Sequence, residues 1–536
     1  MRGLHNAHEA ARWLRAHVTG ELRTDSRTVQ PGDGFIAWPG AATDGRQYLA
    51  QALKQGAAAC LLEEEGHAHW VQTLSTTLTN VDRLAVMKDL KAQTGLVADA
   101  YYEHPSQALS VLAVTGTNGK TSTAWWLAQA LSSPVLHQAC GLVGTLGVGR
   151  VPDLVSTGMT TPDPVLLQRQ FKVFADGGVT HCAIEASSIG LAEHRLDGTH
   201  IRVAVFTNFT QDHLDYHGDM ARYWAAKEAL FGWSGLQAAV INIDDAQGAL
   251  LARQLNGGAL DVWSCSRQGA ARLQARALRS ADGLAFEVLE GAEVQTLHTG
   301  LMGDYNIDNL LGVIGSLRAL GVSLAEAVQA CAHLTAVPGR MQRVLPRQDA
   351  QNLPLVVVDY AHTPDAVSHA LTALRSQAAV RGGRLWCVLG CGGDRDALKR
   401  PLMAAAAEAA ADQVVLTSDN PRSESPEAIL AAMLTGLTRP QQARTQADRA
   451  LAIAEVVAQA AAQDVVLVAG KGHEATQEVA GVKTPFSDVD EAVAAAATAG
   501  PSPTSPCNIA PLMVCGNPAQ HQPGSADHRV ISRGEA

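Results

Sequence analysis

The residues with the clearest chemical potential are Lys120 and Thr121, which sit in Thr-Gly-Thr-Asn-Gly-Lys-Thr-Ser from Thr115 to Ser122. A lysine and a hydroxyl that follow a glycine-bearing turn and open a helix form an anion cradle. The turn's N–H groups converge, the helix start adds positive potential, and the ammonium supplies a full charge. Gly116 and Gly119 let the backbone close on phosphate oxygens where a Cβ would obstruct, with Thr117 and Asn118 between them. The Thr121 hydroxyl is placed to ligate the Mg²⁺ that accompanies a nucleotide. The strict P-loop pattern wants glycine five residues before Gly119, where this chain has Val114. The alternative is a strand–helix turn with a chance Gly-Lys-Thr; the strand and helix patterns on either side favour ATP binding.

Three more residues stand out from their surroundings. Glu185 falls late in the apolar run His181 to Ser188, where a carboxylate is costly unless it is paired or binds metal. His213 lies in a polar loop, Thr207 to Gly218, just after an apolar strand run, and a lone loop imidazole is commonly inert. Lys227 falls in a helical pattern that starts at Tyr223, and composition alone makes it an exposed helical lysine.

The elements that must hold these residues read as alternating strands and helices. Val111 to Val114, Val203 to Phe206 and Ala239 to Ile243 have strand character, and Gly303 to Val322 reads as an amphipathic helix. Asn306, in the polar turn that opens that helix, could be only a cap. Four later strand runs (355–365, 384–396, 412–424 and 464–474) each end in a polar loop and are separated by Ala- and Leu-rich segments of helix length. That alternation predicts a parallel sheet with ligands at its carboxyl edge. Near the start, Asp25-Ser26-Arg27, Pro31 to Gly40 and Asp44-Gly45 read on spacing alone as plain turns.

Taken together these motifs resemble the Mur ligase family over residues 20 to 495. The glycine-lysine loop is similar to the ATP loop of Mur ligases and of folylpolyglutamate synthase, and the Asp-Ser-Arg series resembles the Mur N-terminal domain. The resemblance implies a three-domain α/β fold: a UDP-binding domain at 1–108, a P-loop ATPase-like domain at 109–336 and a Rossmann-like domain at 337–497. It assigns Ser26 and Arg27 to the uridine-diphosphate sugar, and Thr160, Thr161, Ser187, Glu193 and Arg195 to the muramoyl dipeptide. The family has Gln where this chain has Glu193, and only Gln can also donate a hydrogen bond. Glu185 and His213 match Mg²⁺ ligands, with Thr121. Lys227 matches a carbamylated lysine; CO₂ turns a repelling ammonium into an anion that can bind the ion. Asn306, Arg340 and Asp359 join Ser122 and the loop at ATP. Asp419-Asn420-Pro421-Arg422 resembles the diaminopimelate signature, and Arg395, Gly470 and Glu474 match positions that hold the rest of that amino acid. The implied reaction joins meso-2,6-diaminopimelate to UDP-N-acetylmuramoyl-L-alanyl-D-glutamate through an acyl phosphate, in peptidoglycan precursor synthesis. Alternatives are an L-lysine-adding relative, which lacks this arginine, a folylpolyglutamate synthase, which lacks both the Asp-Ser-Arg unit and the Asp-Asn-Pro-Arg loop, and a regulatory protein that has lost catalysis. The last predicts loss of Lys120, Lys227 or Glu185, and all three are present.

Composition sets the outer bounds. At 536 residues the chain is too long for one core. A net charge of −11 argues against a general nucleic-acid binder. Nine cysteines without a CxxC pair give neither a zinc site nor a disulfide framework. There is no signal-like start and no apolar run of spanning length, so a cytoplasmic monomer that does not enter membranes is expected. Residues 498–536, rich in Pro, Ser and Gly, read as a disordered tail.

Overall fold

The computed structural model describes residues 1–40, 43–72, 83–278, 283–345 and 353–498. The expected tail lies outside the described residues except Thr498, which closes the helix Asp488–Thr498. No described helix is long and apolar enough to cross a membrane.

Three α/β units follow one another, each built on its own sheet. The first has five parallel strands in the order Arg2–Leu4, Leu84–Met87, Ala59–Glu63, Gly34–Ala37, Leu22–Arg23. Asp25 caps the short turn Ser26–Thr28 by accepting from the Arg27 N–H at 2.9 Å.

The second sheet is centred on Ser110–Thr115, which runs parallel between His181–Glu185 and Ile201–Phe206. Val111 to Val114 are fully buried, because both faces of a parallel sheet are covered and polar alternation has no place there. Register then does the positioning. Glu185 lies opposite Val114 and Phe206 opposite Thr115, so the loop at 115–119, the Glu185 carboxylate and the loop from Thr207 emerge at one edge. Ala238–Asn242 and Asp261–Ser266 extend the sheet, and three further strands (Leu273–Leu278, Leu284–Glu290, Glu293–Thr299) add an antiparallel end the sequence reading did not anticipate. Two expectations need correction. The helix Asn306–Ala319 is not amphipathic: it is buried on nearly every side, packed on the sheet between the helices Lys120–Leu131 and Leu324–Ala332 that flank it. The helix expected to start at Tyr223 is Met220–Glu228, capped by Asp219.

The third sheet runs Gln342–Arg343, Leu355–Asp359, Val465–Ala469, Leu385–Cys391, Gln413–Ser418, Arg444–Gln446, all parallel except the first. All four expected strands are present, and their carboxyl ends converge because Asp359 and Leu389 both register with Ala469, and Cys391 with Ser418. Behind that edge Arg449 and Asp488, both with no exposed side-chain surface, form a two-pronged ion pair at 2.7 Å. Arg449 also donates to the Ser418 carbonyl at 3.2 Å and the Ala469 carbonyl at 3.0 Å, which ties two strand ends together.

Candidate active site

The loop between Thr115 and Lys120 closes as its glycines require. Gly116 and Gly119 take φ of +144° and +86°, left-handed conformations that other residues rarely adopt. A Cβ on Gly116 would fall on Thr207 Oγ1, and one on Gly119 on Asn309 Oδ1. The following loop braces the turn: Asn208 Oδ1 accepts from the Asn118 N–H at 2.8 Å, and Thr207 Oγ1 donates to the Asn118 carbonyl at 2.6 Å. Lys120 Nζ donates to the carbonyls of Gly116 and Thr117 at 2.9 and 2.8 Å. Burial lowers its pKa, opposed by the charges of Glu185 and Asp212.

Glu185 is buried, yet its carboxylate is satisfied. Thr121 Oγ1 donates to Oε2 at 2.9 Å and the Thr145 N–H donates to Oε1 at 2.8 Å. Thr160 meets Thr145 hydroxyl to hydroxyl at 2.9 Å, and Thr161 donates to the Glu185 carbonyl at 2.7 Å and meets Ser187 at 3.0 Å. Arg195 Nη1 donates to the Thr161 carbonyl at 2.9 Å. Glu193 stands apart from this chain of contacts, held by Lys91 of the first unit at 2.6 Å and by the Tyr216 hydroxyl.

A cavity of about 450 Å³ opens between this edge and the third unit, with Asn118, Lys120 and Thr121 on one wall and Arg340, Asp359 and His362 on the other. Asn306, Ser122, Glu185 and His213 also line it. Arg340 lays its guanidinium on the Tyr360 ring, 4.2 Å from the centroid, with Nη2 3.5 Å from Thr121 Oγ1. Its Nε is buried without a hydrogen-bond partner among the described residues. Asp359 accepts from the Met341 N–H at 2.6 Å, and burial pushes its carboxyl up. Burial pulls His213 down. Asp212 also loses solvent, which alone would raise it, but the charges of His213, His362 and Lys120 hold it below the usual carboxylate range. Asn306 does not cap its helix; its amide donates to the Met302 carbonyl at 2.7 Å and its oxygen accepts from Asn309.

Lys227 departs most from its composition. It is buried, not exposed, and Nζ donates to the Gly116 carbonyl at 2.8 Å from behind the loop, outside the residues that line the cavity. Burial, then the Lys120 charge, lowers its pKa well below the ordinary lysine value.

The two remaining clusters also lie outside the cavity lining. Arg27 is exposed and ion-paired with Asp25 at 2.6 Å, and Ser26 donates to Gln51 at 3.1 Å. At the edge of the third sheet Arg422 holds its backbone at φ +54°, and Nη1 donates to the Gly393 carbonyl at 2.7 Å. Asn420 Nδ2 donates to Glu474 Oε2 at 2.6 Å, Asp419 is buried beside Gly470, and Arg395 is exposed. Glu474, which matches a position that holds the amino acid, already has a cation in Lys471 at 3.1 Å. The sequence reading missed Thr145, Asp212, Tyr360, His362 and Lys471. For all but Thr145 the signal was adjacency to the chosen residues, as in Asp212-His213 and Asp359-Tyr360-Ala361-His362.

The fold and this cavity suit the binding of a phosphate-bearing ligand, and comparison with known proteins gives the family. Family models match in chain order: Mur ligase family, catalytic domain, over 20–113; Mur ligase middle domain over 114–317; and Mur ligase, glutamate ligase domain, over 339–472. The chain belongs to the Mur ligase family. It is 59% identical over 499 residues to the UDP-N-acetylmuramoyl-L-alanyl-D-glutamate--2,6-diaminopimelate ligase of Acidovorax sp. (strain JS42), covering 92% of this chain and 97% of that one. The protein of the same name from Janthinobacterium sp. (strain Marseille) is 48% identical, with 91% and 96% covered. A solved structure of a UDP-N-acetylmuramoyl-L-alanyl-D-glutamate--2,6-diaminopimelate ligase matches at 37% identity and TM-score 0.60, covering 89% of this chain and 94% of that one. A folylpolyglutamate synthase from Mycobacterium tuberculosis, solved with ADP and AMPPCP, matches at 21% identity and TM-score 0.59, covering 75% and 94%, and shows the shared fold alone.

Proposed function

We propose that the chain joins meso-2,6-diaminopimelate to UDP-N-acetylmuramoyl-L-alanyl-D-glutamate with ATP, through an acyl phosphate, in peptidoglycan precursor synthesis. The observation that carries this reading is the Lys120–Thr121–Glu185 arrangement at one wall of a cavity whose other wall is Arg340 and Asp359. The D-glutamyl carboxylate attacks the γ-phosphorus, the bond to ADP breaks, and the amine of the incoming amino acid then displaces phosphate to form the amide. Bringing a carboxylate to a triphosphate concentrates negative charge, which Lys120 and Arg340 are placed to offset from opposite walls.

Mg²⁺ fits the donors present. Thr121 Oγ1 and Glu185 Oε2 lie 2.9 Å apart on the cavity wall, and His213 lines the same cavity. Among the described residues no group of three or more His, Cys, Asp or Glu could hold a metal ion unaided. That sparse set suits an ion that keeps several waters and takes its other oxygens from substrate phosphates. Thr121, Glu185 and His213 would hold it, and it would supply Lewis-acid neutralisation of the phosphoryl oxygens. For Lys227 we propose the carbamate: burial favours the neutral amine, which is the form that attacks CO₂.

Thr160, Thr161, Ser187, Glu193 and Arg195 are proposed to meet the muramoyl dipeptide, and Ser26 and Arg27 the uridine diphosphate. The loops at Arg395, Asp419 to Arg422, Gly470 and Glu474 are proposed to hold the amino acid. We further propose unit boundaries near 109 and 337, a cytoplasmic setting and a monomer. The decisive experiment is phosphate release with the UDP-muramoyl dipeptide, ATP and a panel of amino acids. Turnover with meso-diaminopimelate and not with L-lysine is expected; no turnover with any amino acid would overturn the reading.

A further inference from the structure

Lys471 is among the most deeply buried charged residues described, with no exposed side-chain surface. An ammonium carries three N–H donors, and three acceptors surround this one. They are Asn420 Oδ1 at 3.1 Å, Glu474 Oε2 at 3.1 Å and the Thr476 carbonyl at 2.7 Å. All its donors are therefore spent inside the protein, and none is left for a ligand.

What those donors do is fix two neighbours at once. Asn420 Oδ1 accepts from Lys471 and also from the Glu478 N–H at 3.0 Å, so its amide can face only one way. Its Nδ2 then points at Glu474 Oε2, 2.6 Å away. Lys471, Asn420 and Glu474 close a triangle. Both contacts to Glu474 use Oε2, so Oε1 is the oxygen turned outward, on a side chain that keeps 29% of its surface exposed.

We propose that Lys471 is a positioning residue for the amino-acid substrate: from behind the site it locks Asn420 and Glu474 in one orientation and neutralises the Glu474 carboxylate. This rests on the reading of these loops as the amino-acid site. A carboxylate that already has its own buried cation presents Oε1 as a directed acceptor, not as a mobile full charge. Such an acceptor grips an ammonium without a large cost in ordering the side chain when substrate arrives. Without Lys471, Asn420 can flip and Glu474 can swing toward solvent.

The test is steady-state kinetics on the full chain, with each substrate varied in turn. Lys471→Met keeps the length and removes the charge. It is expected to raise KM for meso-diaminopimelate tenfold or more while KM for ATP and for the UDP-muramoyl dipeptide stays within twofold. A general structural defect would move all three together and would overturn the proposal, as would an unchanged KM for the amino acid. Glu474→Gln separates the two layers of argument. If it raises the amino-acid KM and Lys471→Met does not, the positioning role is wrong and the site stands; if neither does, the loops do not hold the amino acid. In the double variant Lys471→Met/Glu474→Gln the loss is expected to be no greater than in the worse single variant, since both act through one carboxylate. Multiplied effects would refute the coupling. The double variant also buries no unpaired charge, so it serves where Lys471→Met alone does not fold.

Discussion

Arg422→Ala probes substrate choice most directly, and the structure sets the size of its effect. meso-Diaminopimelate is lysine with a second carboxylate at the far end of the side chain, so a site that prefers it must offer that carboxylate a cation. Arg422 Nη1 is engaged by the Gly393 carbonyl at 2.7 Å, which orients the guanidinium and leaves the Nε–Nη2 edge able to take a carboxylate with two parallel hydrogen bonds. The side chain is half-buried. Losing one partner of a fully buried pair costs about 3–5 kcal/mol, and of an exposed pair about 0–1 kcal/mol, so about 2 kcal/mol is expected here. At 1.36 kcal/mol per decade that is a loss of roughly 30-fold in discrimination. The substitution adds no backbone strain, because alanine and arginine share the same cost at φ +54°, and the Arg422 N–H keeps its bond to the Glu478 carbonyl at 3.0 Å. The measurement is the ratio of kcat/KM for meso-diaminopimelate to that for L-lysine, in wild type and variant. An unchanged ratio, or a wild-type protein that uses L-lysine equally well, refutes the reasoning.

Lys120→Ala removes the nearest fixed positive charge from the phosphate loop and should lower the phosphate-release rate by about 10²–10³-fold or more, on the scale of a lost transition-state donor; near-normal turnover would reject the phosphate-loop assignment. Lys227→Ala should be nearly inactive, with part of the rate returned by added formate or acetate if a carbamate stands there, and a bare ammonium in an experimental map of the nucleotide complex would count against it. Burial pushes His362 and His473 down to about 4 from an ordinary 6.5, so between those values the unfolded chain binds more protons than the folded one. These two histidines should therefore add stability as pH rises across about 4 to 6.5, against the raised carboxyls of Asp359 and Asp419, which act in the opposite sense. Denaturant midpoints for wild type and His362→Gln at pH 5 and 7 check this, and the variant should show the smaller difference.

Much of this architecture is legible in the sequence because local rules decide it. The glycines at 116 and 119, the buried run Val111 to Val114 and four of the six strands of the third sheet are each specified within a few residues. Family motifs then order them along the chain. What the sequence hides is burial that depends on distant packing. Lys227 looks solvated on its own helix, but the return of the 115–119 loop across the sheet edge and the Tyr223 ring cover it. The helix Asn306–Ala319 read as two-faced, but it is buried on nearly every side, and Gly315 lets it lie close to the strands, since a Cβ there would meet Val240 at 2.8 Å. Lys471 went unnoticed for the same reason. A lysine between two glycines reads as a surface turn until the Asp419–Arg422 and Thr476–Val479 segments close over it.

Arg340 shows how the separate units become one site. Its turn leads the third unit, the Tyr360 ring carries its guanidinium at 4.2 Å, and Nη2 reaches to 3.5 Å from Thr121 in the second unit. A buried guanidinium N–H without a partner costs about 1–3 kcal/mol, and Nε is in that position. The role proposed for Arg340 at the nucleotide phosphates would offset that cost, and would make nucleotide binding and docking of the third unit favour each other. The loops that are proposed to hold the amino acid grow from the same sheet edge as Tyr360. The contact that anchors Arg340 therefore also fixes where those loops stand relative to Lys120 and Thr121.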